Sequence, residues 1–149
     1  MTGAVHVGIG TAIGAILKHP GLSFTAGIIS HIVADALPHK DFSAESEVIF
    51  SATALAFVGA RYGWKSPEMY GAIGALLPDT EHCIAIGGII SPEQKIFPSH
   101  TNRRPRHGAK TGTSFGTALI FAGSIIVAEI ASAIKKHHCM QTTIQNPQP

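Results

Sequence analysis

The chain has 149 residues, enough for one domain, of which 45% are hydrophobic and only 13% charged. An average soluble domain carries about 25% charged residues, so there are too few charges here to cover a water-facing surface comfortably. The mean hydropathy is +0.24 and the net charge +2, which favours a membrane protein and argues against a nucleic-acid partner. The short basic run Arg103, Arg104, Arg106, Lys110 lacks the aromatic side chains that stack on bases.

Five apolar segments appear in chain order: Ala4 to Leu17, Gly21 to Leu37, Glu47 to Ala60, Glu68 to Leu77 (resuming over Cys83 to Ile90), and Thr111 to Ile134. The first is followed by Lys18-His19-Pro20 instead of a small-residue cleavage site, so it does not read as a signal peptide. The fifth is the clearest. It has no charge from Thr111 to Ala128, only Glu129 before Lys135, and is long enough for the roughly 20 residues that a membrane span needs. The other four are short for a full span and rich in Gly and Ala, which let helices approach closely. Pro20 and Pro67 mark helix starts, and Pro38 and Pro78 mark helix ends. The expectation is an all-α fold, a bundle of about five helices embedded in a membrane. Residues 1–138 form its single domain and 139–149 a disordered tail.

The polar residues inside this apolar chain carry the chemistry. His31 and Asp35 are spaced i, i+4, so they share one helix face. His39 and Asp41 follow just beyond the helix end. Such a pair is either a metal-binding face, an Asp orienting a ligand His, or a buried structural pair. Asp79, Glu81 and His82 follow Pro78 in the same manner, and Leu37-Pro38 and Leu77-Pro78 form a weak internal echo. A carboxylate at a membrane edge is costly and points to function. His6 sits in the first segment, and His100 and His107 lie in the loop from Ser91 to Lys110.

Threading the five segments up and down through a layer brings these residues to one side. His19, His137 and His138 fall on the other and read as solvated. The expected metal ligands are therefore His6, His31, Asp35, His39, Asp41, Asp79, His82, His100 and His107, with Asp79 and Glu81 as catalytic carboxylates. Imidazole and carboxylate together suit a divalent metal, zinc first, with manganese or iron as alternatives, and so many candidates leave room for two metals. Cys83 follows His82 directly, so it is a remote ligand or, more simply, an apolar filler; neither it nor Cys139 makes a CxxC pair. The site side carries Lys40, Lys95, Arg103, Arg104, Arg106 and Lys110, against Lys18, Arg61, Lys65, Lys135 and Lys136 opposite. That is a weak preference for a cytoplasmic site.

His6, the run Ser30-His31-Ile32-Val33-Ala34-Asp35 and the run Leu76-Leu77-Pro78-Asp79-Thr80-Glu81-His82 together resemble the predicted membrane-bound metal-dependent hydrolases of bacteria. The resemblance covers most of the chain through short motifs. In that family the His-x-x-x-Asp block usually follows the Pro-Asp block, whereas here it precedes it. Glu81 stands where Asp is usual. Arg106-His107-Gly108-Ala109-Lys110-Thr111-Gly112 inverts the Arg and His of a third block, with Gly112 in place of its last His. The resemblance implies a hydrolase of a bacterial inner membrane that uses metal-activated water, and the basic loop and the membrane setting suggest a small-molecule or lipid-like substrate such as a phosphoester. A non-enzymatic metal carrier or sensor, and a helical protein whose polar cluster is structural, are the alternatives.

Overall fold

The structure, a computed structural model, describes residues 1–40, 42–101 and 111–145, without the side chains at 92, 138–140 and 142–145. Asp41, His107 and the basic run 103–110 lie outside the described residues. The described chain is all-helical, as the apolar segments predict.

Helix α1 (Gly3–Leu17) starts at Thr2, whose hydroxyl caps the Val5 amide, and stops at Lys18. Lys18 takes the left-handed conformation (φ 56) and returns its N–H to the Gly14 carbonyl, an αL cap. Helix α2 (Pro20–Asp35) follows at once, with Pro20 in its first turn and the His19 ring accepting from the Leu22 amide. Helix α3 (Ala44–Tyr62) is capped by Ser43, carries Glu45 and Glu47 in its first turn and Arg61 in its last, in keeping with the helix dipole. Helix α4 (Pro67–Leu76) runs into a 3-10 turn at Leu77–Asp79, where Pro78 tightens the chain. Helix α5 (Thr80–Ile86) is short. Two further 3-10 turns, Pro92–Gln94 and Pro98–His100, precede helix α6 (Ser114–Gln145). Helix α6 runs on into the stretch expected to be disordered. From Lys135 to Gln145 there is neither Gly nor Pro to interrupt it.

Helix α1 is the hub, packing against α2, α3, α4 and α6, while α4 also packs on α2 and α3. These contacts run backbone to backbone. A Cβ on Gly71 would stand 2.1 Å from the Gly10 carbonyl oxygen of α1, and one on Gly74 would stand 2.2 Å from the Phe24 oxygen of α2. Only glycine permits such an approach. Gly14 lies against Pro67 and Gly3 near Leu76, so α1 and α4 are antiparallel and the start of α1 meets the end of α4. That register is what delivers the site residues to one end.

The distribution of size is inverted relative to a soluble domain. Apart from Met1 and Met69, the buried hydrophobic core holds small residues, among them Ala54, Ala72 and Ala75 with Val5, Val7 and Val58. Large aliphatic and aromatic residues face outward, among them Ile29 and Val33 on α2, Ile49 and Phe57 on α3, and Phe115 and Ile130 on α6. One helix among the described residues is long and apolar enough to cross a membrane, α6 over Ser114–His137, and almost none of that stretch is buried.

Candidate metal centre

Four separate parts of the chain meet at the site end. His6 lies near the start of α1, and His31 and Asp35 lie one turn apart at the end of α2. Asp79 closes the 3-10 turn after α4, and His100 closes the turn before α6. His6, His31 and Asp35 are fully buried. The rings of His6 and His31 stack at 3.9 Å between centroids, and His31 meets His100 edge to face at 5.2 Å.

The tautomer of His31 follows from its neighbours. Its Nδ1 lies 2.7 Å from the Ala75 carbonyl oxygen of α4. A carbonyl only accepts, so Nδ1 carries the proton and a neutral ring turns the lone pair of Nε2 inward. That Nε2 lies 3.1 Å from Asp35 Oδ2, 3.2 Å from His100 Nε2 and 3.7 Å from Asp79 Oδ1. His100 Nε2 is in turn 3.5 Å from Asp35 Oδ2 and 3.7 Å from Asp79 Oδ1. Zinc bonds of about 2.0–2.1 Å would place neighbouring tetrahedral ligand atoms about 3.3–3.4 Å apart. The spacings among His31, Asp35 and His100 bracket that value, and those to Asp79 are slightly longer.

Two further sets in this cluster have ligand atoms close enough to share a metal: His6, His31 and Asp79, and Asp79, His82 and His100. Asp79 is the most exposed of the convergent carboxylates, with 24% of its side chain accessible against 1% for Asp35. It lies beyond the end of α4, and burial pushes its carboxyl up to about 6; Asp35 adds to the rise, while His31 and His100 oppose it.

The remaining expected residues divide. His39 is buried, with its Nδ1 held 2.7 Å from the Leu37 carbonyl and its Nε2 directed at the Met1 ammonium, 2.8 Å away. That ammonium also lies against Asp35 Oδ1, which is 3.1 Å from His6 Nε2. Glu81, expected as a catalytic carboxylate, accepts from the Ile96 and Phe97 amides and stands 3.6 Å from His100 Nδ1. It holds the loop that delivers His100. His82 packs on His100 at 4.0 Å and pairs through Nδ1 with Lys95 Nζ at 2.8 Å. Cys83 is exposed and stands in none of the ligand sets. His19 sits at the far end as a helix cap.

The sequence did not single out the Ala75 and Leu37 carbonyls, Lys95 as a partner of His82, or Glu81 as a loop anchor. Backbone carbonyls leave no trace in residue types. The Lys95 and Glu81 contacts depend on the path of residues 91–100, which no periodicity reveals.

Comparison of the chain with family models, with curated proteins and with solved structures finds no match.

Proposed function

We propose that the chain is a membrane-embedded hydrolase that uses one divalent metal, zinc first, held by His31, Asp35 and His100. The observation that carries the metal is the convergence of imidazole and carboxylate ligand atoms, 3.1 to 3.5 Å apart among His31, Asp35 and His100 and 3.7 Å from Asp79. A buried carboxylate with several imidazoles at this spacing is a donor set that a divalent cation can use. Bound there, a divalent metal would act as a Lewis acid and lower the pKa of water. Asp79, at the open side of the three buried ligands, is placed to take a proton from the attacking water. Glu81 holds the loop that carries His100 by accepting from the Ile96 and Phe97 amides.

Membrane embedding is supported by the apolar stretch of α6, by the large side chains that face outward and by the glycine-mediated helix contacts. A lipid-like substrate is supported by an apolar groove of about 430 Å³ between α1 and α2, lined by Ile9, Ile13, Ile29, Val33, Ala34 and Leu37 among others. Ala34 and Leu37 flank Asp35 in sequence, although no member of the His/Asp cluster lines the groove. The resemblance to membrane-bound metal-dependent hydrolases is the reason for preferring hydrolysis to carriage. A carrier also needs a polar path, and among the described residues the buried hydroxyls of Thr11 and Ser23 are engaged by carbonyls of their own or the preceding turn.

The test is hydrolysis of a chromogenic phosphoester by zinc-loaded protein in detergent. We expect a rate that a chelator abolishes and zinc restores, and that Asp79→Asn lowers by about 10²-fold or more while zinc is retained. A chelator-insensitive rate would contradict the proposal, and zinc uptake into vesicles without hydrolysis would favour the carrier.

A further inference from the structure

We propose that Lys95, braced against His82, forms an anion-binding subsite beside the metal centre, and that the group it takes is the phosphoryl group of a phosphate monoester. The inference rests on the metal-dependent hydrolase reading and names the substrate class for it.

The subsite is carried by a short loop. Lys95 follows the 3-10 turn Pro92–Gln94, and the backbone is fixed on both sides of it. Before it, the Gln94 side chain accepts from the Ser91 amide at 2.7 Å. After it, the Ile96 and Phe97 amides donate to Glu81 Oε1 at 2.8 and 3.3 Å. The same loop goes on to His100, so Lys95 and a metal ligand are delivered together.

Lys95 Nζ lies 2.8 Å from His82 Nδ1. An ammonium has donors and no acceptor, so the lone pair of His82 is on Nδ1 and the proton of the neutral ring is on Nε2. Paired in this way, His82 offers an N–H and no lone pair to a metal. Its ring packs on that of His100, with centroids 4.0 Å apart, and ligand-type atoms of Asp79, His82 and His100 lie within 4.8 Å of one another. Lys95 is therefore one imidazole away from the ligand His100.

The charge of Lys95 is unmatched. Among the described residues its polar partner is the His82 ring, and no carboxylate lies within salt-bridge distance of the ammonium. Glu81, which holds the same loop, turns its oxygens to the two amides. A partly buried ammonium beside a neutral ring favours an anion. A phosphate monoester fits because it has more than one charged oxygen: one can sit on the metal while another accepts from Lys95 Nζ. Lysine serves there as a point charge. A neutral ester or amide would leave that charge unpaired.

The experiment is isothermal titration calorimetry of the full chain in detergent, loaded with zinc. The probes are inorganic phosphate and a short-chain phosphatidic acid, the proteins are the wild type, Lys95→Met and Lys95→Arg, and the zinc content of each is measured alongside. The expected result is binding to the wild type that Lys95→Met weakens about 10-fold or more, the loss of one charge-assisted hydrogen bond, and that Lys95→Arg largely restores. Zinc content should be equal in all three. Tighter binding of phosphatidic acid than of phosphate assigns the group to a lipid headgroup, and equal binding to a soluble ester; either result keeps the subsite. A zinc-loaded wild type that binds neither probe, or a Lys95→Met protein that binds them as tightly as the wild type, overturns the subsite and leaves the metal centre standing. A Lys95→Met protein that has lost its zinc makes Lys95 a structural residue and also overturns it. Phosphate binding that depends on Lys95, without hydrolysis of a phosphoester, overturns the hydrolase and keeps the subsite. A wild type that holds no zinc overturns both. Should Lys95→Met not fold, Lys95→Gln takes its place.

Discussion

Two polar regions among the described residues are built on different principles. On α6, Glu129 receives the Arg61 guanidinium at 2.5 Å and the Tyr62 hydroxyl at 2.7 Å, both from the end of α3. Donors match acceptors there, and the pair is open, with 54% and 37% of the two charged side chains exposed. It is complete as it stands and fastens α6 to α3. At the other end, Asp35, His31, His6 and His100 are closed off from solvent, and three imidazoles crowd round one carboxylate. An exposed, matched pair makes a lock, whereas buried imidazole and carboxylate groups that share one small space make a candidate ligand site.

That contrast can be broken in several ways, taken here from the largest expected effect to the smallest. Zinc at about 100 times its Kd should stabilise the protein by about 2.7 kcal/mol, or roughly 5–10 °C in Tm for a chain of this size. Differential scanning fluorimetry should show this rise in the wild type, its reversal by a chelator, and its absence in Asp35→Ala.

Acid should weaken the same site. An imidazole binds metal only through an unprotonated nitrogen, so protons compete with zinc and its affinity should fall as the pH is lowered. Competition with a colorimetric zinc chelator at a series of pH values would measure the slope, and a pH-independent affinity would speak against imidazole ligation.

The scaffold should be sensitive where no charge is present. Gly71→Ala brings a Cβ to 2.1 Å from the Gly10 oxygen, where backbone has to give way. We expect a loss of about 1–3 kcal/mol by thermal or denaturant unfolding, together with weaker zinc binding, because the α1–α4 contact sets the distance between His6 and the Ala75 carbonyl that orients His31. The smallest effect belongs to the exposed pair. Arg61→Ala should cost under about 1 kcal/mol and leave zinc content unchanged. A loss of zinc in that variant would mean that the two regions are coupled.

Much of the fold was legible because helix boundaries are written in residue types. Pro20 and Pro67 open α2 and α4, and Pro78 ends α4 where the α region becomes unfavourable. His31 and Asp35 were legible through their spacing in an apolar run. His6 and His100, lone histidines with bland surroundings, became candidates only through the up-and-down order of the helices, and the structure does bring both to Asp35. Glu81 was legible as a polar residue of the site end but not in its contacts, since two amides of a non-periodic loop engage it. A stretch long and apolar enough to cross a membrane was legible in the fifth segment alone. Helices α1, α2 and α4 are too short, at 15, 16 and 10 residues, to carry the signal by themselves. Resistance of the chain to alkaline extraction from membranes, with release by detergent, is the corresponding check.

His100 offers the most direct test of the central claim, because only the fold connects it to His31 and Asp35. The measurement is the zinc content of the wild type, His31→Ala and His100→Ala, each purified in detergent and monodisperse. The account predicts at least about one zinc per chain in the wild type and near none at the His31, Asp35 and His100 position in either variant, the spacing of those atoms being that of a zinc site. A wild type free of zinc after loading, or a His100→Ala protein that retains the full wild-type content, would contradict it.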